Sequence, residues 1–162
     1  MSRLNRITLL TALAALSGVA GVHAATVAAS DAEARKAIEA RQHVFDQIKD
    51  LNDALGKMLK NQSPMDPALA ATNAGKIQAL AGQIPGAFKV DTRGFKGTKT
   101  AALDGIWASE ADFKAKADAL AAAAGEAVAA GRSGDAKNTR TALINLGRSC
   151  GNCHDSYRAK MD

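Results

Sequence analysis

Cys150-Gly151-Asn152-Cys153-His154 lies near the C-terminus of the chain and contains its only two cysteines. Residues three apart on a helix lie on one face, so both thiols can reach the two vinyl groups of a single haem. The imidazole of His154 can reach the haem iron from below. The pattern Cys-x-x-Cys-His therefore predicts covalent attachment of one haem c through Cys150 and Cys153, with His154 at the metal.

Other uses of two cysteines at this spacing are a short disulfide, a redox-active pair and a zinc site. A thioredoxin-like pair belongs beside a βαβ pattern, which the sequence does not contain. Tetrahedral zinc needs a second pair of ligands, which the sequence does not offer. The helical pattern around the motif favours haem attachment over these three alternatives.

Residues 1–24 have the pattern of a secretory signal peptide. Arg3 and Arg6 give a positive start, a mostly apolar stretch follows, and residues 22–24 place small side chains at a cleavage site. A membrane anchor is the alternative, but the apolar run is near the lower limit for spanning a bilayer. We expect cleavage before Ala25 and export to the periplasm, with no membrane contact afterwards.

Residues 25–162 are of single-domain length. The whole chain has a formal charge of +5; cleavage removes two arginines, and two haem propionates would lower the charge further. Aromatic residues make up only 4% of the chain, and no basic block is interleaved with them. Nucleic-acid binding is therefore not expected.

Apolar residues at helical spacing predict four helices, which follow breaks rich in proline, glycine or capping residues. The first should be capped by Ser30 with Glu33 in a capping box. The predicted helices cover residues 31–60, residues 67 to a stop at Pro85-Gly86, residues 100–130, and residues from 135 onward. The connections are short, long and short, which favours an all-α, antiparallel four-helix bundle with the cofactor between facing helices.

The predicted core stripes place the haem cysteines and two residues of the first helix on inward faces. Arg41 and Phe45 share one stripe, and Cys150 and Cys153 share another. An alanine-rich stretch at 121–124 predicts a close helix crossing, because small side chains let helices approach.

Between the second and third helices, residues 86–99 form a predicted loop with Phe88 as an anchor in the core. The loop also carries four basic residues, Lys89, Arg93, Lys96 and Lys99. They could steer an acidic redox partner onto the protein, or simply keep a solvated loop soluble. The sequence leaves both interpretations open.

Residues 25–162 resemble a known family, the class II c-type cytochromes and, within them, the cytochrome c′ group. The matching signatures are Arg41-Gln42-x-x-Phe45, Ile106-Trp107 with Phe113, and Cys150-x-x-Cys153-His154-x-x-Tyr157-Arg158. The last signature is the most specific. The resemblance also implies homodimers, with which the apolar residues Val44 and Leu51, expected on the outer face of the first helix, are compatible.

The resemblance implies that His154 is the axial iron ligand, that Arg41 and Gln42 contact the haem propionates, and that Arg158 lies on the proximal side. In the family, the residue four after that arginine lies over the open face of the iron. Methionine there gives a six-coordinate, low-spin electron carrier, whereas an apolar residue leaves five-coordinate iron. Here the residue is Phe45, whose ring carbons cannot bind iron.

Two nearby residues could be considered as replacement ligands, and neither is well placed. His43 is two residues from Phe45, about 200° around the helix, and Met58 is roughly 20 Å farther along the axis. Trp107 is expected to pack near the haem, with a propionate as one possible acceptor for its indole N–H.

These features favour a periplasmic binding protein, not an enzyme, that takes up small diatomic gases such as NO and CO and exchanges electrons with redox partner proteins. A distal lid without a hydrogen-bond donor disfavours dioxygen, whose bound form is polar. The alternative is a low-spin electron-transfer cytochrome with an unidentified sixth ligand. A peroxidase function is less favoured, because the sequence offers no distal acid and base.

Overall fold

The computed structural model describes residues 25–160, so the signal peptide predicted for residues 1–24 lies outside the described residues. Helices and two short strands make up the described chain. They are β1 (Thr26–Val27), α1 (Asp31–Leu59), α2 (Pro67–Ala81), α3 (Ile84–Ala87), β2 (Val90–Asp91), α4 (Gly105–Ala108), α5 (Glu110–Arg132) and α6 (Ala136–Tyr157). The long helices α1, α2, α5 and α6 form the predicted antiparallel four-helix bundle.

The predicted starts of three long helices are confirmed by their caps. The hydroxyl of Ser30 accepts a hydrogen bond from the Glu33 amide at 3.2 Å, and the Glu33 carboxylate accepts one from the Ala29 amide at 2.6 Å. The carboxylates of Asp66 and Asp135 cap α2 and α6 in the same way. Each cap satisfies an amide that has no partner within its helix.

Around the bundle, α1 packs against α2 and α6, and α5 packs against the same two helices. The close crossing expected at 121–124 is confirmed, since Ala124 of α5 is fully buried. The approach continues to Gly131, where a Cβ would lie 2.5 Å from the carbonyl oxygen of Pro67 on α2. None of the helices between residues 25 and 160 is long and apolar enough to cross a membrane.

The third predicted helix is partly wrong, because helical structure begins at Gly105 rather than at residue 100. The preceding segment instead pairs with the end of α6 and the residues after it: the Leu103 amide donates to the Tyr157 carbonyl at 3.0 Å, and the Ala159 amide donates to the Ala101 carbonyl at 2.8 Å. These bonds remove the backbone groups that a helix would use. Ser109 then separates α4 from α5.

The sequence predicted that Pro85-Gly86 ends the second helix, and this prediction is wrong. The helix ends at Ala81, and Pro85 lies in the first turn of α3, where a missing amide hydrogen costs nothing. Two short strands also form, which the helical periodicity did not predict. Strand β1 pairs in parallel with β2, with the Thr26 amide donating to the Lys89 carbonyl at 2.8 Å.

Helical spacing in the sequence predicts Leu69 and Leu103 on the inward faces of the second and third helices, but they are 44% and 38% exposed. Val44, expected on the outer face of the first helix, is only 9% exposed, and Leu51 is half-buried. The outer face of α1 is therefore less apolar than the expectation of a homodimer assumed, and that expectation rests on the family resemblance alone.

Candidate haem site

Helix α6 carries the two cysteines of the Cys-x-x-Cys-His motif in its last two turns. Cys150 and Cys153 are free thiols, both half-buried, and both pack against the hydrophobic core. Gly151 between them is also half-buried, yet a Cβ built there would meet no atom within 4 Å. The helix thus presents two half-buried thiols against the hydrophobic core.

The surroundings of the thiols disfavour the redox-active alternative. Burial raises the pKa of both Cys150 and Cys153, and nearby Lys116 only partly offsets the effect at Cys153. Reactive Cys-x-x-Cys pairs depend instead on a lowered thiol pKa. Within residues 25–160, no three His, Cys, Asp or Glu side chains cluster so that they could hold a metal ion, so the described residues do not supply the ligand set of a zinc site.

His154 lies in an environment that keeps its imidazole neutral. Burial lowers the pKa of the half-buried ring, and the positive charge of Arg158 lowers it further, while Asp155 acts in the opposite direction. Neutral imidazole is the form that binds metals. Arg158 is exposed at the end of α6, and its backbone amide donates to the His154 carbonyl at 3.0 Å.

Five aromatic side chains, which we call the aromatic cluster, connect the helices next to the motif. Phe88 is at the centre, with its ring centroid 6.2 Å from Phe45, 6.0 Å from Trp107 and 4.8 Å from Phe113. Tyr157 completes the cluster by packing edge-to-face on Phe113 at 5.2 Å. Phe45 is the half-buried member, whereas the other four are buried.

The hydroxyl of Tyr157 fixes the end of α6 to α5. It donates to the Asp112 carboxylate at 2.6 Å. Burial first, and then this bond to Asp112, raise the pKa of Tyr157 to about 12. The bond holds the turn of α6 that carries His154 against its neighbour.

Arg41 is a core residue in this structure. Its side chain is 2% exposed, and its guanidinium carbon lies 4.6 Å from the ring centroid of Phe88 and 5.3 Å from that of Trp107. Burial lowers the pKa of Arg41 to about 10, although Asp91 opposes this shift. The indole of Trp107 donates to the Phe88 carbonyl at 3.0 Å, so its acceptor here is a backbone group and not the propionate considered from the sequence.

Arg41 and Gln42 both hold the segment that follows α3. The Arg41 guanidinium donates to the Thr92 hydroxyl and to the Val90 carbonyl, each at 3.1 Å. The exposed Gln42 amide donates to the Lys99 carbonyl at 2.9 Å. The propionate contacts implied for these two residues stay a prediction.

The aromatic cluster connects part of the predicted site. It joins Phe45 on α1 through Phe88 and Phe113 to Tyr157, three residues after His154 on α6, while Gln42 and Arg158 are exposed. Sequence reasoning missed Asp112, since an acidic residue at the start of an exposed helix face carries no signal of its own. The donor set nevertheless fits haem c, because two thiols, a neutral imidazole and aromatic surfaces are what the cofactor requires.

Comparisons with known proteins agree with this assignment. The sequence model of the Cytochrome C' family matches residues 36–158. Cytochrome c' from Rubrivivax gelatinosus is 35% identical over 124 residues, which are 76% of this chain and 95% of that protein. Cytochrome c prime from Shewanella frigidimarina superposes with a TM-score of 0.70 at 35% identity, covering 78% of this chain and 97% of that one.

A third similar protein was solved with a gas present. The nitric oxide complex of a cytochrome c prime variant from Alcaligenes xylosoxidans has a TM-score of 0.69 at 28% identity, and the match covers 79% of this chain and 97% of that one. The family match, the bundle and the motif on α6 agree with one another. The chain belongs to the cytochrome c′ family and binds haem c covalently through Cys150 and Cys153.

Proposed function

We propose that this protein is a periplasmic cytochrome with five-coordinate haem, which binds small diatomic gases such as NO and CO at the open face of the iron. The observation that carries the proposal is the identity and setting of Phe45. Its half-buried ring belongs to the aromatic cluster that reaches Tyr157 on α6, three residues after His154, and it stands at the position over the open iron face in the resembled family. Haem c would supply an iron atom that accepts one protein ligand and one exogenous gas.

His154 is the protein ligand in this account. Burial and Arg158 lower its pKa and favour the neutral ring, so its lone pair is available near neutral pH. The helical bonds of α6 and the backbone pairing that follows it hold this turn in place.

Phe45 acts as a steric lid and not as a ligand. Carbon atoms of a phenyl ring do not coordinate iron, so an incoming gas needs only to move the ring. Elsewhere on α1, His43 is exposed and Met58 is buried at the far end of the helix, about 20 Å along the axis. Neither replaces the missing sixth ligand.

The lid also sets a preference among gases. The Phe45 ring offers no hydrogen-bond donor, so bound dioxygen, which is polar, gains nothing from it. NO and CO are less dependent on such a donor. The nitric oxide complex of the similar Alcaligenes xylosoxidans protein supports the same choice of ligand.

The test is the rate at which CO binds to the reduced, haem-loaded protein. Phe45→Ala should speed CO association while the bond from His154 stays in place. His43→Ala is the matched control, because that residue is exposed on the same helix and should leave the rate unchanged. Equal rates in the parent protein and both variants would contradict the lid.

A further inference from the structure

We propose that cleavage before Ala25 releases an amino group that forms an ion pair with Glu110, and that this pair fastens strand β1 beside the haem site. The inference rests on the cleavage position expected from the sequence and is independent of gas binding. It assigns a structural use to the first residue of the mature protein.

The contact that carries the inference joins two distant parts of the chain. The backbone nitrogen of Ala25 lies 3.1 Å from Oε1 of Glu110, across 85 residues of sequence, in a partly buried setting. The methyl group of Ala25 is itself half-buried and packs against the hydrophobic core. A residue held by both its nitrogen and its side chain is fixed in position.

The residues after Ala25 are also held from the start. The Thr26 amide donates to the Lys89 carbonyl at 2.8 Å, and the Ala28 amide donates to the Asp91 carbonyl at 3.0 Å. Chain ends normally fray unless such contacts tie them down. Ordered pairing thus begins one residue after the expected cleavage site.

Cleavage changes the chemistry of the contact without moving its atoms. Water adds across the bond between Ala24 and Ala25 in the active site of a signal peptidase, giving a carboxylate on the leader and an ammonium group on Ala25. The single amide donor becomes a cation with three donors, already within bonding distance of a carboxylate. A partly buried pair is screened less by salt than an exposed one.

Glu110 is suited to hold this cation. It is the first residue of α5, where the helix dipole favours a negative charge. Arg93 is also near Glu110, but its guanidinium is bonded to Asp91 at 2.6 Å. Asp91 is the main reason that the pKa of Arg93 is raised, with smaller contributions from Asp104 and Glu110, so the amino group is the direct partner of Glu110.

The ion pair would support the haem side of the molecule through β2. Strand β1 pairs with Val90 and Asp91, and the Val90 carbonyl accepts the hydrogen bond from buried Arg41. The mature N-terminus would therefore brace the same segment that Arg41 and Gln42 hold from α1.

The experiment first determines where the exported, haem-loaded protein begins, by intact mass and N-terminal sequencing, and then measures thermal unfolding. Two variants each remove one partner: Glu110→Gln, and insertion of one glycine before Ala25, which turns the ammonium into an amide. Each should lower the melting temperature by a few degrees, and the two together should lower it no further. Glu126→Gln, an exposed position on the same helix, is the control and should have no effect.

A mature chain that begins at any other residue would overturn the proposal, as would fully additive losses in the double variant. If Glu110→Gln does not accumulate, the glycine insertion alone decides, because an unchanged melting temperature would show that the charge is not used. CO association should be the same in all these proteins, so failure of the ion pair is distinguishable from failure of the gas-binding proposal.

Discussion

The ring of Phe45 meets the ring of Phe88 edge-to-face, with the centroids 6.2 Å apart and the planes at 67°. Through Phe88, the residue proposed to cover the iron is linked to the stacked guanidinium of Arg41. The lid is therefore supported from one side by the aromatic cluster. Phe45 is the half-buried member of that cluster.

Replacing this lid by a ligand should change the coordination of the iron. In Phe45→Met, a thioether at the same helix position supplies a sixth ligand, so the spectrum should shift toward low spin, the reduction potential should rise and CO binding should slow. Phe45→Leu is the control, because it is apolar and cannot coordinate. Spectra of Phe45→Met that match those of the control would mean that the position does not face the iron.

Covalent attachment should need both thiols. Cys150→Ala or Cys153→Ala removes one of the two thioether bonds and should weaken or abolish haem loading, as measured by haem staining on a denaturing gel and by extraction with acid acetone. Asn152→Ala, at an exposed position between them, should load normally. Haem that is fully extracted from the unmodified protein would contradict the assignment.

Ionisation of Tyr157 can be used to test the hydrogen bond between α6 and α5, since this is the only tyrosine of the chain. Its pKa is raised to about 12 in the folded protein, so the stabilisation is complete below the ordinary pKa of about 10 and is lost as the pH rises through the folded value. Ultraviolet titration should show late ionisation of the phenol. Asp112→Asn should bring the ionisation closer to the ordinary range, and an unchanged titration in that variant would contradict the assigned bond.

Alanine substitution of two helical glycines should change stability in opposite directions, because only Gly131 lies at the close contact between α2 and α5. Gly131→Ala places a Cβ against the backbone of Pro67 and Ala71 and should cost about 1 to 3 kcal/mol of unfolding free energy. Gly56→Ala, inside α1 with no atom within 4 Å of the new Cβ, should instead stabilise by about 1 kcal/mol. Denaturant unfolding of the haem-loaded proteins checks both, and equal stabilities would contradict the close helix contact.

Local sequence signals identified the parts of this fold that depend on local physics. The predicted cap at Ser30 is confirmed, and the predicted starts of the second and fourth helices agree with caps at Asp66 and Asp135, whose side chains bond to amides three residues on. The bundle follows from apolar spacing and loop lengths. The Cys-x-x-Cys-His motif placed His154 at the metal, whereas the role of Phe45 came from the family resemblance, because spacing alone does not give it.

The errors concern contacts between residues far apart in sequence. The start of the third predicted helix is not helical, because its backbone pairs with Tyr157 and the residues after it. Strand β1 forms because β2 provides its hydrogen-bonding partner. The contacts of Arg41 with Phe88 and Val90 also join residues far apart in sequence, and its propionate contact stays a prediction. No helical periodicity encodes such partners.

The central claim is that the iron lacks a sixth protein ligand, and the spin state of the exported, haem-loaded protein tests it most directly. Absorption and electron paramagnetic resonance spectra should show a high-spin or spin-mixed ferric form, and the ferrous form should be high-spin and should change at once on adding CO. A low-spin ferrous spectrum, together with CO association that is indifferent to Phe45→Ala, would contradict the account. Phe45 would then be an ordinary core residue and electron transfer the better function.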